Sequence, residues 1–100
     1  MVLEHALLAV RPGEEEAFTA VLGEALGVIT RSPGCRSARV LRGHESPSTF
    51  LLLVEWDSLE DHLDGFRRSP DFELWRSLVG PFWVELPDVQ HFLPSAASPT

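Results

Sequence analysis

Apolar and polar positions change period several times along this chain, and each change marks an element. The most apolar run is Phe50 to Trp56. Strand side chains alternate with period 2, so Phe50, Leu52, Val54 and Trp56 share one face and Leu51, Leu53 and Glu55 the other. Both faces are largely apolar, so both need cover. Residues 2–10 predict an earlier strand, with Leu7, Leu8 and Val10 near its end. Arg11-Pro12-Gly13 breaks it, and the three glutamates that follow suit a helix's first turn. Phe18, Val21, Leu22, Ala25, Val28 and Ile29 then recur at helical spacing, an amphipathic helix of about four turns. Gly23 and Gly27 lie four apart on it and predict close packing against a neighbour. Ser32-Pro33-Gly34 ends the element.

Cys35 to His44 predicts a strand whose arginines suit a sheet edge. The turn Glu45 to Ser48 joins it to the Phe50 strand as a hairpin. Beyond Trp56, Ser58 with Asp61 resembles a capping box, as does Asp57 with Glu60. Leu59, His62, Leu63 and Phe66 share one face of the helix that follows. Ser69-Pro70 caps and opens another, striped by Phe72, Trp75, Leu78 and Val79 and stopped at Gly80-Pro81. A last strand is interrupted at Pro87 and regular from Val89 to Leu93. Residues 1–94 thus form one α+β domain, a ferredoxin-like βαββαβ unit with a four-stranded antiparallel sheet. Residues 95–100 are expected to be a disordered tail. With helices on one face only, the other face is apolar and open. Two sheets packed face to face would close it, which predicts a homodimeric α/β barrel.

Composition narrows the partners. The chain has 8 basic and 15 acidic residues, a formal charge of -7, a poor match to phosphate backbones, so no nucleic-acid partner is expected. No apolar window is long enough for a membrane span. The N-terminal run carries Glu4 and His5 without a basic flank, unlike a signal peptide. A lone cysteine, Cys35, fits a reducing cytoplasm.

The strings VEWDSLEDH (54–62), GFRRSPDF (65–72), Trp75-Arg76 and VQHF (89–92) resemble the antibiotic biosynthesis monooxygenase family, over residues 2–93. The resemblance implies a dimeric α/β barrel. It also implies a small monooxygenase that uses dioxygen without a cofactor, on an aromatic hydroquinone or polyketide-type substrate. The haem-degrading branch of the family uses an Asn, a Trp and a His that would fall at Ala6, Phe66 and Arg76. None matches, and the chain has no asparagine. The alternative reading is a non-enzymatic dimeric barrel that binds a small ligand or serves in stress.

Oxygenation of that kind needs a base near neutral pH, a donor for a phenolate and a dry pocket. Histidine is the natural base. His62 stands first, and His91 on the last strand second. Each can instead be a histidine satisfied by a neighbour at the core edge. His5 and His44 have polar neighbours and read as structural or exposed. Trp56, Trp75 and Trp83 could wall an aromatic pocket, with Phe66 beside them, although tryptophans in a small domain also build plain cores and interfaces. Arg67, with Arg76, could hold a phenolate or simply cap a helix end. Glu55, if buried, would be an acid or base with a raised pKa; pairing with an arginine is the other reading. No Gly-rich phosphate loop and no helical histidine pair is present, so no metal is expected.

Overall fold

In a computed structural model, which describes residues 1–95 and 97, the chain runs β1 (Val2–Ala9), α1 (Glu15–Thr30), β2 (Cys35–Arg42), β3 (Thr49–Trp56), a π-helical turn (Asp61–Phe66), α2 (Pro70–Val79) and β4 (Asp88–Phe92). The sheet is antiparallel in the order β2-β3-β1-β4. This is the ferredoxin-like α+β fold. The two most apolar strands sit in the middle, and the arginine-bearing strand takes an edge. The expectation of a disordered tail lies, at residues 96 and 98–100, outside the described residues.

Alternation decides the core. Phe50, Leu52, Val54 and Trp56 on β3 are buried beside Ala6 and Leu8 on β1, beneath Phe18, Ala25, Val28 and Ile29 of α1. Fully burying one such side chain stabilises the fold by roughly 1.5–3 kcal/mol. Among the described residues nothing covers the opposite face. Leu51 and Leu53 are half-buried there, while Leu7, Leu41 and Phe92 are 48%, 45% and 46% exposed.

The connection after β3 departs from the expected regular helix. Ser58 begins it: its Oγ accepts the Asp61 N–H at 3.1 Å and donates to Asp61 Oδ2 at 3.0 Å. The backbone then widens, and the Arg67 N–H reaches back five residues to the His62 carbonyl at 2.9 Å. Such i→i+5 turns recur at functional sites. The widening turns His62 and Phe66 inward and leaves Leu59 exposed. Ser69 caps α2 as expected, with its Oγ accepting the Phe72 N–H at 3.3 Å.

Gly23 and Gly27 do not mark close packing. Both are exposed, and a methyl group at either would meet no other atom within 4 Å. The apolar stripe of α1 faces the sheet from other positions, and the glycines lie outside it. Helix propensity is then the only cost of glycine there. Gly23→Ala and Gly27→Ala are each expected to raise the unfolding free energy by about 1 kcal/mol, read as an increased urea midpoint with an unchanged slope. A loss of stability at either position would show that a neighbour does pack there.

Candidate functional site

On β1, β3 and β4 the inner sheet face is apolar except at Glu4 and His91. Antiparallel register sets these two directly opposite each other. On the other side of Glu4 stands Val54, two residues before Trp56, so the Trp56 side chain reaches Glu4 on the diagonal. The π-helical turn lowers His62 onto this spot. Glu4 is 6% exposed and His62 2% exposed.

These four side chains form one connected set. The Trp56 Nε1–H donates to Glu4 Oε1 at 3.0 Å, and His62 Nε2 lies 3.2 Å from the same oxygen. His62 Nδ1 lies 2.7 Å from His91 Nε2. The imidazole of His62 stacks on the Trp56 indole, with ring centroids 5.2 Å apart and planes 14° from parallel. The Nε2···Oε1 approach lacks hydrogen-bond alignment, so His62 is held through Nδ1, which pairs with His91 Nε2, one ring donating and the other accepting. His62 Nδ1 is thereby occupied, while its Nε2 stands beside Glu4 Oε1 without a hydrogen bond. Glu4 Oε2 has no hydrogen-bond partner among the described residues.

Burial dominates the electrostatics. It disfavours ions, so it raises the Glu4 pKa, against the Trp56 hydrogen bond and the nearby Arg67 charge. It also pushes His62 down to about 3, with Arg67 and His91 acting in the same direction. His91 is lowered by burial and then by Arg67. His62 is therefore neutral at neutral pH, not a buried cation.

Glu4 and His62 border a cavity of about 290 Å³ between the sheet, the end of α1 and α2. Phe66, Phe72, Trp75 and Trp83 form much of its wall, and Arg67 and Arg76 also line it. Ala6, Phe66 and Arg76, where a haem-degrading relative would carry Asn, Trp and His, all border this space. Among the described residues no cluster of His, Cys, Asp and Glu is arranged to hold a metal ion.

The structure brings together most of the residues singled out in the sequence, with changed roles. Phe66, Arg67 and Trp75 line the cavity. Trp56 is not a wall: it is fully buried and holds Glu4 from behind. His91 borders a shallower hollow with Met1, Asp57 and Ser58 and meets the main cavity only through His62. Glu55 does not line the cavity, because its strand position puts it on the outer sheet face, opposite Leu3 and Ser37. His5 lies on that outer face against Phe92, and His44 is exposed. Burial raises the Cys35 thiol pKa, the wrong direction for a nucleophile. Sequence reasoning missed Glu4. Its signal was present, since alternation places this one carboxylate among Val2, Ala6 and Leu8 on the buried face.

A ferredoxin-like sheet with an apolar cavity under its helices and a buried polar set on its floor defines an α+β domain with a space of small-molecule size. The family model for antibiotic biosynthesis monooxygenases matches residues 1–78, and the chain belongs to that family. It is 36% identical over 92 residues to the uncharacterized protein YczJ of Bacillus subtilis, covering 92% of this chain and 97% of that one. A Bordetella bronchiseptica structure assigned to the antibiotic biosynthesis monooxygenases superposes with a TM-score of 0.90 at 35% identity, covering 94% and 96% of the two chains. Rv0793 of Mycobacterium tuberculosis shares the fold, with a TM-score of 0.78 at 23% identity over 98% of each chain.

The depressed His62 pKa makes stability pH-dependent. As pH falls from about 6.5 toward 3, the unfolded chain takes up a proton at His62 that the folded chain resists, so the fold loses stability. Glu4 acts oppositely: above its ordinary value of 4.5 the folded state holds the proton longer, which costs stability as pH rises. His62→Gln keeps a polar side chain beside Glu4 and removes the histidine titration. Wild type is expected to lose stability relative to this variant on acidification from pH 6.5 to 4.5, measured by urea unfolding at both values. A pH-independent difference would contradict a depressed His62.

Proposed function

We propose that the protein is a cofactor-independent monooxygenase of a small aromatic phenol or hydroquinone, with Glu4 as the base. The observation that supports this reading is Glu4 at an apolar cavity, its Oε1 held by the Trp56 indole N–H and its Oε2 without a hydrogen-bond partner among the described residues. Sequence chemistry favoured His62 as the base, but burial pushes its pKa down to about 3 while raising that of Glu4, which makes the carboxylate the better base. His62 is better cast as a positioning residue, held by His91 and packed against Trp56 and Glu4. A carboxylate raised by burial is a stronger base than an exposed one, which suits proton abstraction from a phenol.

The chemistry is short. Glu4 takes the phenolic proton, and the Arg67 charge near the dyad favours the phenolate. The phenolate passes one electron to dioxygen, and the two radicals combine as a ring-carbon peroxide. Glu4 returns its proton to the peroxide, which loses water to leave a carbonyl on the ring. One oxygen atom stays in the quinone product and the other leaves as water. The aromatic wall of Phe66, Phe72 and Trp75 excludes bulk water from these intermediates.

The open sheet face supports the homodimer. Leu3, Leu7, Leu51, Leu53 and Phe92 give it an apolar surface that a second copy would cover. Sedimentation equilibrium is expected to return a dimer for wild type and a monomer for Leu7→Glu/Leu53→Glu. A monomeric wild type would remove the barrel from this proposal.

The catalytic test is dioxygen uptake by metal-free protein with a panel of benzo- and naphthohydroquinones. Uptake above autoxidation should fall by about 10²–10⁴-fold in Glu4→Gln, and less in His62→Gln. Undiminished turnover in Glu4→Gln would remove Glu4 as the base. Binding of the panel with no uptake would favour the other reading, a ligand-binding barrel without turnover.

A further inference from the structure

The chain has eight basic residues, all arginine, against fifteen acidic ones. With carboxylates in such excess, an arginine without one needs a reason. Five arginines have carboxylate partners: Arg11 with Glu14, Arg31 with Asp71, Arg36 with Asp57, Arg42 with Glu16 and Arg68 with Asp64. Of the other three, Arg39 lies on the outer sheet face of the edge strand. The remaining two, Arg67 and Arg76, both line the cavity.

Their placement is specific. Arg67 lines the cavity together with Glu4 and His62, and its backbone N–H is bound to the His62 carbonyl at 2.9 Å. The Arg76 guanidinium lies 5.9 Å from the ring centre of Phe72, itself a wall residue. On the same wall the Trp83 indole Nε1–H is buried without an acceptor, an omission that proteins rarely tolerate. Among the described residues, two cations lacking anions and a donor lacking an acceptor thus gather around one apolar space. Glu4, the one carboxylate lining it among the described residues, is committed on its Oε1 side to the Trp56 indole N–H.

We propose that this cavity takes a one- or two-ring arene bearing a carboxylate, with Arg67 and Arg76 reading the carboxylate. The size follows from the space, since about 290 Å³ holds on the order of ten non-hydrogen atoms at the roughly 30 Å³ of a liquid water. The charge follows from the arginines, because guanidinium and carboxylate match in geometry and the walls lower the local dielectric. The overall charge of -7 repels such a ligand at a distance, so its recognition is local and falls with added salt. The inference deepens the oxygenase reading of this site by naming what the oxidisable ring carries.

The test compares 2-naphthoate with 2-naphthamide, which have the same shape, differ in charge and have no hydroxyl to oxidise. Isothermal titration calorimetry at pH 7 is expected to show the naphthoate binding roughly ten-fold tighter or more. Raising salt from about 50 to 500 mM should shrink that ratio. Arg67→Gln and Arg76→Gln should each reduce the preference, and the double variant should abolish it, while Arg39→Gln keeps it. Equal affinities, no binding of either compound, or a preference that survives in the double variant would overturn the proposal. Arginine-dependent naphthoate binding without oxygen uptake on hydroxynaphthoates would sink the oxygenase reading and leave the acid pocket standing. Turnover of neutral hydroquinones with no carboxylate preference would do the reverse.

Discussion

A carboxylate buried on the inner face of a sheet must be answered by donors, because an unpaired ion there would cost several kcal/mol. Glu4 meets that demand with groups from three places. Trp56, the last residue of β3, gives an indole N–H. His62 arrives from the π-helical turn. His91, across the ladder on β4, braces His62 from behind. Each partner sits at the end of an element or in an irregular stretch, where a backbone can be aimed. The wide turn at Asp61–Phe66 is the clearest case, since it presents His62 and Phe66 to the interior together.

The sheet separates two tasks by parity. Even-numbered positions of β1 and β3 face the helices and carry the core and the buried set; odd-numbered positions face outward and form the open apolar surface. Because alternation is strict, a residue's number within a strand fixes which task it can serve. Glu55 and Trp56 are neighbours in sequence and lie on opposite sides of the sheet.

That parity explains what the sequence disclosed and what it hid. The strands, the hairpin, α1, the Ser69 cap and the edge placement of β2 were all legible, because period, turn residues and charge agree locally. Glu55 was misjudged as a site residue although its outward position was already implied by the alternation of β3. Glu4 was overlooked because two adjacent polar residues, Glu4 and His5, looked like one interruption of an apolar run. The fold gives them opposite faces, and only Glu4 is buried. The π-helical turn was not legible, since Leu59, His62, Leu63 and Phe66 fit an ordinary helix equally well. No single-sequence signal separates i→i+4 from i→i+5 bonding over six residues.

Why the floor carries an acid and the helical side its cations follows from where desolvation is least costly. A carboxylate shares its charge between two oxygens and can be answered on one by fixed donors, so burial on a rigid sheet leaves the other poised. A guanidinium needs up to five acceptors, which an apolar sheet face does not have. Arg67 and Arg76 meet that need by staying exposed to water while still bordering the cavity. A ligand entering between them and Glu4 would meet fixed negative charge below and mobile positive charge beside it. Such a gradient draws a proton toward the floor and holds an anion near the arginines. It requires Glu4 and the arginines not to pair directly, a condition served by the Trp56 indole N–H, which binds one Glu4 oxygen to the floor.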